Sequence, residues 1–189
     1  MVAALEHSPK LTPEEYFEWE ERQEVRHEYI DGEVYAMTGG TVNHAQIAAN
    51  WTILLGNHLR GSNCRLLSSD ARVEIKDLNR YVYPDMSVTC DERDRTATQF
   101  ISYPCLVAEV LSPATEAYDR GEKFKLYRRS SSLRDYLLVS TDKIAVDLYH
   151  RTDDDRWEII NYVVGDVVAL DSINLTFPIE QVFEGITFG

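Results

Sequence analysis

The sequence predicts an α/β chain built on a central mixed sheet with helices against it. Three observations carry that expectation. Apolar residues recur at helical spacing from Val42 to Leu59. Leu106–Leu111 is apolar apart from Glu109, as in a central strand covered on both faces. The last third alternates short β-forming runs with polar turns, which reads as an antiparallel extension.

The elements follow in order. Residues 1–10 read as a loose tail, and one domain spans 11–189, since no Pro/Gly/Ser linker or internal repeat divides it. Thr12-Pro13-Glu14-Glu15 opens a first helix, with Thr12 as cap, Pro13 at the first helical position and Glu15 completing a capping box. Arg26–Ile30 and Glu33–Met37 form a hairpin about Asp31-Gly32. A helix runs from about Val42 to Arg60, between Gly39-Gly40 and Gly61. Cys64–Ser68, Ala71–Ile75 and Met86–Cys90 are short strands, and Leu106–Leu111 is the central one. Ser112-Pro113 ends it, and a helix follows from about Glu116 to Arg129. Tyr136–Val139, Ile144–Tyr149, Trp157–Val163, Val167–Leu170 and Asn174–Phe177 are later strands, and Ile179–Phe183 a last helical turn.

The chain of 189 residues is long enough for a real core, and its 44% hydrophobic content is that of a folded globular protein. No run is apolar enough to span a membrane, and the first residues lack the pattern of a signal peptide. Cys64, Cys90 and Cys105 are odd in number and lack CxxC spacing, which argues against a disulfide framework and a structural zinc site and for a reducing, cytoplasmic setting. The net charge of −13 would repel nucleic acid at long range. The one basic cluster is Arg120, Lys123, Lys125, Arg128 and Arg129, which also suits a solvated helix face.

Two acids stand out. Asp85, in Tyr83-Pro84-Asp85-Met86-Ser87-Val88, and Glu109, in Leu106-Val107-Ala108-Glu109-Val110-Leu111, each adjoin a run that should be buried. A buried carboxylate is costly unless it is paired or binds a cation. Two at strand ends suggest a divalent-metal site able to hydrolyse a phosphodiester. Each candidate also has a plainer reading. Pro84-Asp85 can be a turn, and Glu109 can be a buried ion pair with Lys123 or an arginine. Asp119 and Lys123 are an i,i+4 pair worth about 0.2–0.5 kcal/mol. Glu28 lies in a strand whose alternate residues face solvent, Asp70 suits a turn, and Ser112 can cap the next helix. His44 could be a ligand or base, but capping or packing suits its place at a helix start better.

The chain resembles the Uma-type endonuclease-like proteins of the PD-(D/E)xK nuclease superfamily. The resemblance rests on six pieces in order: His27-Glu28-Tyr29-Ile30-Asp31-Gly32-Glu33, Gly39-Gly40-Thr41-Val42-Asn43-His44, Ser69-Asp70, Tyr83–Val88, Val107–Pro113 and Asp119–Tyr127. It implies a restriction-endonuclease-like fold and a Mg²⁺-dependent DNA endonuclease, with Mn²⁺ as a substitute. Asp85 matches the Asp of the motif and Glu109 its second acid. Leu111 stands where the motif has lysine, so the resemblance passes the amine to Lys123 first and Lys125 second. It makes Glu28 an auxiliary acid, and Asp70 a further family acid that could be a third metal ligand or a sheet-edge structural acid. It also implies a homodimer, as expected of nucleases that cut both strands. The alternative is a nuclease-like fold turned binding or regulatory module.

Overall fold

The computed structural model describes residues 10–37 and 39–188; the expected tail falls almost wholly outside them. Helix α1 (Pro13–Glu20) begins on the capping box, with the Thr12 side chain accepting from the Glu15 amide and Glu15 returning a bond to the Thr12 amide. Strands β1 (His27–Ile30) and β2 (Glu33–Ala36) turn through Asp31 and Gly32, both at positive φ, which suits a two-residue hairpin loop. Helix α2 (Val42–His58) buries Ile47, Trp51 and Leu55 at four-residue spacing, while Val42, at its first position, is exposed.

Then come β3 (Arg65–Ser68), β4 (Arg72–Ile75), β5 (Arg80–Val82), β6 (Met86–Thr89), β7 (Phe100–Ile101) and β8 (Leu106–Val110). The expected helix over 116–129 is broken into three pieces. These are α3 (Glu116–Tyr118), a five-residue π-helical turn over Asp119–Lys123, and α4 (Phe124–Tyr127). The rest is β9 (Asp135–Val139), β10 (Ala145–Arg151), β11 (Trp157–Val163), β12 (Val167–Leu170) and β13 (Leu175–Pro178), then a 3-10 turn over Ile179–Phe183.

The main sheet has the order β11-β10-β9-β8-β6-β3; β8 and β9 are parallel and the other pairs antiparallel. A second sheet, β2-β1-β5-β4-β7, packs on one side, and β12 pairs with β13. Alternation along β8 divides the core. Leu106, Ala108 and Val110 face α2 and the C-terminal hairpin, while Val107 faces α4 and the second sheet. Glu109 shares the Val107 side, so the central strand delivers its one charge toward the π-helical turn. Among the described residues no helix is long and apolar enough to cross a membrane.

One expectation from the cysteines is corrected. Cys64 and Cys90 form a disulfide, and Cys105 is free. They are 26 residues apart in sequence. It is the antiparallel register of β3 on β6, Arg65 opposite Thr89, that brings them face to face one step further on.

Candidate active site

Five elements converge on a small cavity of about 90 Å³, lined by Glu28, His44, Asp85, Glu109, Asp119 and Lys123 among others. Asp85 lies one residue before β6, where its Oδ2 accepts from the Val110 amide at 2.7 Å and lies 3.2 Å from His44 Nε2. The antiparallel β6–β8 pairing thus brings Asp85 to the end of β8 that carries Glu109. Lys123 ends the π-helical turn and is buried. Its Nζ is 2.9 Å from Glu109 Oε1, 3.2 Å from Glu28 Oε1 and 3.9 Å from Asp119 Oδ1. Single π turns inside helices are frequent at functional sites, and this one buries both Asp119 and Lys123.

Burial raises the Glu109 carboxyl well above the usual range; Lys123 opposes that shift, and Asp119 and Asp85 add to it. Burial likewise raises Asp119. Burial works against the Lys123 charge, but Glu109, Glu28 and Asp119 outweigh it and hold the ammonium well above its ordinary value. His44 is raised, chiefly by its hydrogen bond to Asp85. The cluster therefore holds protons tightly, and a bound cation would compete with them.

Among the described residues no three His, Cys, Asp or Glu side chains are grouped so as to hold a metal ion; the Lys123 ammonium sits between Glu28 and Glu109 instead. The donor set nonetheless suits a hard divalent cation. Mg²⁺ is commonly held by one or two carboxylates plus water and substrate oxygens, and Asp85 and Glu109 line one cavity.

Several sequence expectations change here. Glu28 is buried rather than facing solvent, and its Oε1 also accepts from the Tyr83 amide at 3.2 Å. His44 reaches the cavity, while the Thr41 hydroxyl does the capping of α2 by accepting from the His44 amide. Gly40 makes room for it, since a Cβ there would lie 2.7 Å from the imidazole. Asp70 is not brought to the cavity; its exposed side chain pairs with Arg26 at 2.7 Å. Lys125 points to solvent and pairs with Glu122 at 2.6 Å. Ser112 accepts from the Thr115 amide at 3.3 Å as the chain enters α3, and it also lines the cavity. The basic cluster is largely neutralised, because Arg120 is held by Glu116 and Asp147 and Lys123 is buried among acids.

The model of the family Uma2, described as "Putative restriction endonuclease", matches residues 13–180. The chain belongs to the Uma2 family. Two Synechocystis sp. (strain ATCC 27184 / PCC 6803 / Kazusa) proteins are similar to it. Uncharacterized protein slr1290 is 53% identical over 180 residues, 95% of each chain. Uncharacterized protein sll1609 is 32% identical over 163 residues, 85% of this chain and 92% of the relative. A crystal structure from Anabaena variabilis ATCC 29413, described as a "putative nuclease belonging to DUF820", superimposes with a TM-score of 0.77 at 18% identity, covering 94% of this chain and 99% of the other. That likeness establishes the restriction-endonuclease-like fold of this Uma2 chain.

Proposed function

We propose that this Uma2 protein is a Mg²⁺-dependent endonuclease that hydrolyses DNA phosphodiester bonds, with Mn²⁺ able to substitute. The observation that carries the reading is the Lys123 amine, 2.9 Å from Glu109 in the cavity that Asp85 also lines. The element after β8 supplies the group that Leu111 cannot. Asp85 and Glu109 are the carboxylates that would hold the cation. When bound, it would neutralise the phosphate and acidify an attacking water. Lys123 orients that water and donates to the negative charge that develops on the phosphate. Glu28 keeps the ammonium in place when Glu109 turns to the cation. His44 orients Asp85 and carries a proton at Nε2. The reading includes a homodimer, supported by the edge strand β11, which exposes Ile159 and Val163.

The test is a plasmid-nicking assay with Mg²⁺ or Mn²⁺ on wild type, Asp85→Ala and Glu109→Ala. Nicking by wild type alone is the expected result. A wild type with no metal-dependent nicking, or two variants that both retain it, sinks the catalytic reading. The net charge of −13 and the neutralised basic cluster favour a second reading, a nuclease-like fold serving as a binding or regulatory module. An inactive protein whose melting temperature also ignores divalent cations would be that module.

A further inference from the structure

Three sulfurs stand side by side at the opposite end of the strands that carry the acids. In the main sheet β6 lies between β3 and β8. Cys64 precedes β3, Cys90 follows β6 and Cys105 precedes β8. Cys90 therefore has a cysteine on each side. It is bonded to Cys64, with Cα atoms 4.0 Å apart. Its Sγ is also 3.7 Å from the Cys105 Sγ, which is van der Waals contact. Cys105 is held there by its amide, which donates to the Val88 carbonyl at 2.8 Å. All three pack on the edge of the same apolar cluster. Cys90 and Cys105 also line an open surface depression with Asp91, Arg93, Tyr103 and Ser131.

We propose that this row is an intramolecular thiol–disulfide exchange site with Cys90 as the shared sulfur. The Cys105 thiolate attacks Cys90 Sγ. A Cys90–Cys105 bond forms, the Cys64–Cys90 bond breaks, and Cys64 leaves as a thiolate that takes up the proton Cys105 lost. One disulfide and one thiol remain, so no oxidant or reductant is consumed. The consequence is mechanical. The cross-link moves from β3–β6, at the sheet edge, to β6–β8, the pair whose far ends carry Asp85 and Glu109.

Burial, followed by the charge of Asp135 at the head of β9, pushes the Cys105 thiol up to about 11. Among the described residues, the charged or titratable side chains around the row also include Arg65 of β3, which donates to the Asp94 carbonyl at 2.7 Å, Asp91, Arg93 and Asp94 of the turn after β6, and Tyr103 before β8. Exchange requires the thiolate, so it is slow at neutral pH and should run about 100-fold faster near pH 10 than near pH 8.

The experiment incubates disulfide-bonded wild type near pH 8 and near pH 10 with no added thiol or oxidant, at about 100-fold spacing in expected rate. Samples are quenched with acid, alkylated and peptide-mapped. The label starts on Cys105 and moves to Cys64, faster at the higher pH. A label that stays on Cys105 at the higher pH overturns the proposal. A second arm treats Cys64→Ser with glutathione disulfide. A Cys90–Cys105 bond is expected, and glutathione adducts without that bond overturn the proposal. Neither arm reads nuclease activity, so the outcome is independent of the proposed function.

Discussion

Two buried carboxylates sit on neighbouring parallel strands in opposite surroundings. Asp135 opens β9 and is fully buried. Its Oδ1 lies 2.7 Å from His150 Nδ1, and its Oδ2 accepts from the Ser172 hydroxyl at 2.5 Å and the Ser172 amide at 3.2 Å. Both oxygens are bonded, and the group rivets the 3-10 turn over Asp171–Ile173 to the main sheet. Glu109, on β8, is bonded on Oε1 by Lys123 and by the Tyr127 hydroxyl at 3.3 Å. It also lines a cavity and faces Asp119 and Asp85, whose charges oppose its own. A buried carboxylate that is satisfied all round holds structure together. One that shares an ammonium with other acids beside open space keeps an oxygen facing the cavity.

The comparison can be broken in four ways. The largest effect should be on chemistry: Glu109→Gln should lower metal-dependent nicking by about 10³-fold, as loss of a group that acts in the transition state does, while the urea midpoint barely moves. A variant that unfolds early would make Glu109 a rivet as well. Next, Asp135→Ala should lower the unfolding free energy by about 3 kcal/mol, because it strands His150 and the Ser172 donors. Chemical denaturation near wild-type values would remove the contrast.

The third effect is a pH slope. Folding raises the Glu109 carboxyl above its ordinary value of 4.5, so the folded state binds its proton more tightly than the unfolded chain does. That contribution is fully present below the ordinary value and is lost as pH rises through the raised one. The wild-type unfolding midpoint should therefore fall from weakly acid to neutral pH more steeply than that of Glu109→Gln. Equal slopes would show that Glu109 does not carry the proton. Divalent stabilisation should grow across the same window, since the cation needs the ionised carboxylate. The smallest effect belongs to Gly40→Ala. Its Cβ should push the His44 ring off Asp85, and NMR titration should show His44 moving back toward its ordinary 6.5. An unchanged titration would mean that the ring does not depend on Gly40.

Much of the fold was legible because its signals are local. The Thr12–Glu15 capping box, the Asp31-Gly32 turn and the four-residue spacing of Ile47, Trp51 and Leu55 each act within a few residues, and the structure bears them out. β5 and β7 left no readable trace, since two or three residues make no period; β7 also pairs with β4 across a long stretch of chain, Arg72 opposite Phe100. The break in the 116–129 helix was equally hidden. Only the single Gly121 inside the turn hints at it, and the break coincides with the burial of Asp119 and Lys123, with Lys123 against Glu109 and Glu28.

The candidate site divides along the same line. Asp85, Glu109, Lys123 and Glu28 could be named from motif order, and all four line one cavity. His44 looked like a packing residue and Asp119 like a surface partner of Lys123, because a sequence shows spacing but not what lies opposite. Asp70 matched in order too, yet it is turned toward Arg26 and solvent.

What the sequence by itself determined is most of the longer elements, the central strand that buries one charge, and the family. Periodicity, capping and motif order act along the chain. What only the tertiary structure decided is adjacency. The Lys123 amine reaches Glu109 from a different element. The acids meet because β6 runs antiparallel to β8, and the pairing of β6 with both β8 and β3 gathers three cysteines at the other end. Contact between residues far apart in sequence is fixed by strand register and packing, and neither is written in any single stretch of the chain.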